Sequence, residues 1–381
     1  MSNHTYYFAK ARCSVRTEPN TGNVWKGFER ELPFDYEVEV TAGEGAIPPY
    51  GEPFYFNGNN GIAPCGDGFL FLLGSNGTEE PETALLANHD YTTCTSYQTD
   101  QAKDKRSILA NMRTFFDGAL PYHGGTIIHA SCIQYEGKAV LFAAPSQTGK
   151  STHAKLWEKR YGAPMLSSDA PAVFPEEGRA VVYGMPWDGS DQICVQDHAP
   201  VAAIVELRQA GCNTIRRLSE KQAFRLLMRQ AHLPLWDSEA MCRELAVLKQ
   251  LAGRIPFYRL NCLPDVSAAE LVYKAVYGQD TELIIKEEHE MKIKEGFVLR
   301  DIMDEHIVLP KGSMMKSFEG AVILGGTATF VWEKLQDNIS KEELLRMILD
   351  TFDVDEKKAG EELEALIEKL SAFGVLEEIP A

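Results

Sequence analysis

Apolar positions along this chain of 381 residues change their spacing several times. Over residues 1–100 they form short stretches at 6–15, 36–40, 53–56, 69–73 and 91–97. Breaks such as Asn57-Gly58-Asn59-Asn60-Gly61 and Gly74-Ser75-Asn76-Gly77 divide them. Short apolar runs punctuated by Gly and Asn predict strands joined by turns, an all-β module over 1–103. At 104–118 the period lengthens. Ile108, Met112 and Phe116 share one face with Leu109 beside them, which predicts a helix. Strands follow at 126–133 and 139–143, then a helix at 152–160 and strands at 180–183 and 201–207. Helical periodicity returns at 221–232, 239–253 and 266–277, the last opened by Asp265 and closed by Gly278. Strand–helix alternation of this kind predicts an α/β domain over 104–278.

A charged, apolar-poor stretch at 279–291 reads as a linker, and the pattern beyond it is different. Apolar runs at 297–300 and 306–310 form a hairpin pattern, and 321–324 is a third strand. Helices are predicted at 327–335, after Ser340 with Glu343 three positions on, and at 356–372 before Gly374. Three strands and three helices over 292–381 predict a small winged-helix-like domain.

Composition narrows the function. The chain carries 55 acidic and 38 basic side chains, a net charge of −17. That speaks against nucleic acid or an anionic membrane as the partner. Residues 282–381 hold 23 acidic and 12 basic residues, a balance of −11 against −6 for the rest, so an acidic unit closes the chain. No apolar run is long enough for a transmembrane helix, and the first residues lack the pattern of a signal peptide. The 8 cysteines include no C-x-x-C pair, which predicts reduced thiols in a cytoplasm.

The candidate chemistry centres on Ala144-Pro145-Ser146-Gln147-Thr148-Gly149-Lys150-Ser151-Thr152. A buried strand precedes it and a helix follows, the context in which a Walker A pattern holds phosphates. Amides of 146–151, Ser146, Gln147, Thr148, Gly149 and Thr152 among the loop residues, would cradle phosphate oxygens at the helix N-terminus. Lys150 would reach the outer phosphates of ATP, and Ser151 would sit on Mg²⁺. Ala144 and Gln147 stand where glycines are usual. Asp169 ends a short apolar approach at 165–167 and could supply the Mg²⁺ carboxylate. His129 lies on the strand next to the loop; taken alone, a histidine there reads as a satisfied core residue. Trp187, in the rigid loop Gly184-Met185-Pro186-Trp187, reads as a buried plug rather than a substrate wall.

Residues 126–170 resemble HPr kinase/phosphorylase and its relatives on the phosphoenolpyruvate carboxykinase fold, through His129, Gly137, Ser146, Gly149, Lys150, Ser151 and Asp169. Gly184-Met185-Pro186-Trp187 is similar to the Pro-Trp loop of related enzymes in peptide-modification clusters. Ser168 stands where that family often has a first Asp. Residues 292–378 resemble the PqqD-like family through Gly-Phe-Val-Leu-Arg, His-Ile-Val-Leu-Pro and Leu-Gly-Gly-Thr-Ala-Thr-Phe-Val-Trp. That resemblance implies a leader segment of a ribosomally made peptide added as a strand beside Ala321, Val322, Ile323 and Leu324, against a helix face containing Leu363 and Ile367.

Together these resemblances imply an ATP-dependent kinase that phosphorylates a hydroxyl of a precursor peptide, with Asp169 or His129 accepting the proton. Two other readings stand beside it. One is a degenerate leader-binding chaperone or ATP sensor, suggested by Gln147 and Ser168. The other is a small-molecule kinase of serine type, which leaves the C-terminal domain without a use. The kinases it resembles often form homo-oligomers.

Overall fold

The computed structural model describes residues 2–17, 25–43, 46–57, 60–74, 81, 83–98, 106–145, 148–187, 193–278, 290–302, 305–312 and 322–379. The chain divides into two compact units, Met1–Ile285 and Lys286–Ala381. No described helix is long and apolar enough to cross a membrane.

The first unit opens with strands β1 (Ser2–Phe8), β2 (Ala11–Thr17), β3 (Tyr36–Ala42), β4 (Tyr55–Asn57), β5 (Asn60–Cys65), β6 (Gly68–Leu73), β7 (Thr83–Ala87) and β8 (Thr93–Gln98). They form one sheet in the order β1-β2-β3-β8-β7-β6-β5-β4. The run at 6–15, expected as one strand, is a hairpin. Ala9 and Lys10 turn it with φ of 48° and 62°, left-handed conformations that neither residue type signals in advance. Two strands at 60–65 and 83–87 were not expected. In β7 nearly every side chain is buried, so the two-residue alternation that marks a half-buried strand is missing.

The chain continues through α1 (Arg106–Tyr122), β9 (Thr126–Ile127), β10 (Ala130–Tyr135), β11 (Lys138–Ala143), α2 (Lys150–Tyr161), β12 (Met165–Ser167), β13 (Ala172–Glu176), β14 (Arg179–Tyr183), β15 (His198–Gln209) and β16 (Thr214–Arg217). It ends in α3 (Glu220–Gln230), α4 (Ser238–Arg254), β17 (Phe257–Cys262) and α5 (Val266–Tyr277). A 9-stranded mixed sheet results, in which β11, β15 and β17 run parallel. Both its faces are covered, and β11 shows why. Its Val140 and Phe142 join Trp157 of α2 and Val272 of α5 in one core. Ala139, Leu141 and Ala143 join Leu226 of α3 and Leu248 of α4 in another. A third core ties the first sheet to this layer, because Tyr6, Phe8 and Trp25 pack with Phe116, Trp187 and Trp236.

The strand expected at 126–133 is broken. The Ile128 amide donates to the Pro171 carbonyl (3.1 Å) and the His129 amide to the Gln230 carbonyl (2.7 Å), so His129 sits in the gap between β9 and β10 rather than on a strand.

The second unit contains β18 (Glu290–Ile293), β19 (Phe297–Ile302), β20 (Glu305–Pro310), β21 (Val322–Leu324), α6 (Gly326–Lys334), β22 (Ile339–Ser340), α7 (Lys341–Thr351), α8 (Glu356–Ala372) and β23 (Leu376–Ile379). The expected three strands form the sheet β19-β20-β21. A second sheet, β22-β18-β23, was not expected, because its strands are two to four residues long and carry little pattern. Trp332, Leu344, Leu363 and Leu370 pack with Val308 and Val322 in this unit's core.

Candidate functional site: a lysine, histidine and aspartate at the end of the central strand

Strand β11 is buried from Ala139 onward and delivers the chain to Ala144, which is fully buried. Gly149 closes the following loop at φ 105°, a conformation that excludes other residue types at little cost only to glycine. It is also the N-cap of α2, and no side chain caps that helix. Helices α3, α4, α5, α7 and α8 are each capped by a Ser or Asp side chain. The first turn of α2 therefore presents its amides and the positive end of its dipole to whatever occupies the loop. Ser146 and Gln147 lie outside the described residues. Thr148 and Ser151 are half-buried and Thr152 is exposed. The Thr148 carbonyl accepts from Gln209 Nε2 at 3.3 Å, which ties the loop to β15.

Lys150 is buried and turned inward. Its Nζ lies 2.7 Å from His129 Nε2, 2.9 Å from the Ala144 carbonyl and 3.3 Å from the Pro145 carbonyl. An ammonium has three donors and no acceptor, so His129 Nε2 accepts and carries no proton. His129 Nδ1 then bears the hydrogen and donates to Asp169 Oδ1, 3.2 Å away. The second Asp169 oxygen, Oδ2, accepts from Arg113 at 3.2 Å. Arg113 continues to His232 Nε2 at 3.3 Å, and His232 Nδ1 reaches Asp117 Oδ1 at 3.0 Å. Arginine only donates, so His232 has the same tautomer as His129. The His129 hydrogen bond, with the Arg113 charge beside it, holds the Asp169 carboxyl below the usual carboxylate range against the upward push of burial. Burial pulls the Lys150 ammonium down, opposed by Asp169.

The structure thus brings Lys150, His129 and Asp169 together. It adds three residues that the sequence reading missed: Arg113, Asp117 and His232. Arg113 and Asp117 are four positions apart on α1, a spacing that places them on one face and was the available signal. His232 follows α3 and had none.

Among the described residues no group of three or more His, Cys, Asp or Glu side chains is placed to hold a metal. Ser168, at the position of a possible second carboxylate, is buried and donates to the Ile193 carbonyl at 3.1 Å. Asp169 and Ser151 remain as donors. One carboxylate and one hydroxyl suit Mg²⁺, which keeps waters and phosphate oxygens for most of its octahedron.

Two further features surround the loop. Glu206 is the register partner of Ala143, the last residue of β11. Its carboxylate accepts from Arg259 (2.6 Å), Arg229 (3.1 Å) and Arg208 (3.3 Å). Burial pushes this carboxyl up, but the three guanidiniums outweigh it and hold it ionised. A cleft of about 650 Å³ opens between the first sheet, α1 and the segment after α3, with Arg113, which bonds Asp169, and Asp117, His232, Trp187 and Trp236 in its walls. Trp187 is both plug and wall: it is buried, its Nε1 donates to the Ala170 carbonyl at 2.9 Å, and its ring lines the cleft.

In the second unit β21 pairs with β20 through Ile307↔Ile323 and ends its sheet among the described residues. Ala321 lies outside them. Val322 and Leu324 point into the core, while Ile323 is 54% exposed. Leu363 is 2% exposed and packs inward with Ala359 and Leu370, so it offers no surface; Ile367 is half-buried.

Residues 305–376 match the model of the family described as coenzyme PQQ synthesis protein D (PqqD), so the chain carries a PqqD domain at its C-terminal end. No curated protein matches the chain. Among solved structures the chain is similar to TbiB1 in complex with the TbiA(beta) leader peptide, at 21% identity over 24% of this chain and 99% of that one, with a TM-score of 0.20. It is also similar to the Hpr(Ser) kinase/phosphatase from Coxiella burnetii, at 11% identity over 39% of this chain and 94% of that one, with a TM-score of 0.24.

Proposed function

We propose that this protein is an ATP-dependent kinase that phosphorylates a side-chain hydroxyl of a ribosomally made precursor peptide, whose leader the PqqD domain holds. The reading rests above all on the Lys150–His129–Asp169 constellation at the end of β11, beside an uncapped helix N-terminus. The phosphates of ATP would lie on the amides of the loop and of the first turn of α2. Lys150 would leave His129 and the two carbonyls and turn to the outer phosphates. Its departure leaves His129 Nε2 as a bare acceptor. Asp169, on the opposite ring nitrogen, keeps that tautomer and stabilises the imidazolium once a proton arrives. The acceptor hydroxyl would give its proton to Nε2 as its oxygen bonds to the γ-phosphorus and the bond to ADP breaks. Mg²⁺, held by Ser151 and Asp169, would neutralise charge on the phosphates. The guanidiniums around Glu206 add fixed positive charge at the same end of the sheet. In the second unit, the side of β21 away from β20 would take the leader as an added strand, with Ile323 and Ile367 against its side chains.

Transfer of radiolabel from γ-labelled ATP to a leader-bearing peptide tests this. His129→Gln should lower the rate at saturating peptide. An unchanged rate in that variant contradicts the assignment of the base.

One observation favours a second reading, a leader-binding protein that senses ATP without transferring phosphate. All three donors of Lys150 are spent within the protein, and Ser168 replaces a carboxylate. Tight nucleotide binding without label on the peptide would select it.

A further inference from the structure

The cleft beside Asp169 has a polar end and an apolar body. Arg113, Asp117 and His232 form the polar end, and Arg113 bonds Asp169 directly. Tyr55, Ile62, Phe71, Leu235 and Trp236 form much of the remainder. Its aromatic walls are built in. Trp236 has Phe71 at 5.6 Å and Tyr55 at 5.8 Å, and Trp236 Nε1 donates to Tyr91 Oη at 3.0 Å, which fixes the indole. Leu235 stands 57% exposed at this cleft. Strand β4, which carries Tyr55, ends its sheet among the described residues, and Phe54 and Phe56 on its other face are 52% and 53% exposed. So much exposed apolar surface on an edge strand is a liability unless something covers it.

We infer that this cleft receives the acceptor segment of the peptide and selects a bulky apolar side chain next to the phosphorylated hydroxyl. The inference rests on the kinase reading for the identity of the hydroxyl, but not for the binding itself. An extended segment running past β4 sends alternate side chains to opposite faces. One enters the cleft between Tyr55, Leu235 and Trp236, and side chains farther along the segment, on the side away from the hydroxyl, lie over Phe54 and Phe56. At the polar end Arg113 is paired with Asp169, and Asp117 accepts a hydrogen bond from the neutral His232, so among the described residues the lining holds no unpaired lysine or arginine to draw in an acidic side chain. The first β-sheet would thereby set specificity for the segment being modified, independently of the leader.

The full chain, saturated with a non-hydrolysable ATP analogue, is titrated with two synthetic heptapeptides, Ala-Ala-Phe-Ser-Phe-Ala-Ala and the same sequence with Gly for both Phe. Tryptophan fluorescence follows binding through Trp187 and Trp236, two of the five tryptophans of the chain. The Phe peptide should bind at least ~10-fold tighter, from burial of one aromatic side chain. Leu235→Asp, a change at an exposed position, and Tyr55→Ala should each collapse that preference. Equal binding of the two peptides, no binding of either, or a preference unmoved in both variants overturns the inference. Phosphate transfer with ATP is read in parallel. Selective binding without transfer leaves the cleft assignment standing and removes the kinase reading. Transfer without selectivity does the reverse.

Discussion

Glu244 gives a stability prediction that follows from burial alone. It sits on α4, 1% exposed, with Oε1 at 2.5 Å from Thr126 Oγ1. Its other oxygen is buried without a hydrogen-bond partner among the described residues. Burial is the largest influence and pushes the carboxyl up to about 8; the Thr126 hydrogen bond pulls it back, and Asp117 adds to the rise. In the unfolded chain the same group titrates near ~4.3. The native state therefore binds the extra proton between these values, and stability must fall as pH rises through that window. At about 1.4 kcal/mol per pH unit, the loss is on the order of 3–5 kcal/mol by pH ~8. Glu244→Gln keeps the volume and the Thr126 partner but cannot ionise. Urea denaturation of both proteins at about pH 5, 7 and 9 should give midpoints that diverge steadily, with the variant ahead at the alkaline end. Parallel profiles would refute the reasoning.

The remaining predictions concern the charged groups of the site and the edge of the second unit. Asp169→Asn leaves Arg113 without its carboxylate and His129 without its anion, and phosphate transfer should fall ~10²–10⁴-fold in steady-state assays. Because the fold holds the Asp169 carboxyl low, its contribution to stability is present above pH ~4 and vanishes as pH falls through the lowered value. The difference between wild type and Asp169→Asn should accordingly close only in acid. Glu206→Gln strips the carboxylate from three guanidiniums and should cost about 3 kcal/mol in denaturant titration, partly restored by added phosphate. Ile323→Asp places a charge on the exposed face of β21 and should weaken leader binding ~10-fold or more in calorimetry, leaving the melting temperature of the chain within a few degrees.

The parts of the fold that were readable are those with a long period or a dedicated cap. Helices α5 and α8 begin at Asp265 and Asp355, whose side chains accept from their first turns, and Gly149 marks the start of α2. The parts that were not readable depend on tertiary context. Nothing local announces a turn at Ala9 and Lys10, and β9 and β10 are split because Pro171 and Gln230 offer carbonyls to Ile128 and His129. The site followed the same rule. Lys150 and Ser151 lie in a motif that encodes its own geometry, and Asp169 ends the short apolar approach that follows it. Arg113 and His232 come 119 positions apart and meet only because α1 and the end of α3 converge on Asp169. Residues 1–103 showed no chemistry in sequence because their contribution is a wall, supplied by Tyr55 and Phe71 from separate strands.

The most direct measurement is the intact mass of a leader-bearing precursor peptide after incubation with the full chain, ATP and Mg²⁺. The account predicts a gain of one phosphate, abolished by Lys150→Ala and strongly reduced when residues 286–381 are deleted. A peptide that binds the chain and leaves with its mass unchanged would contradict it.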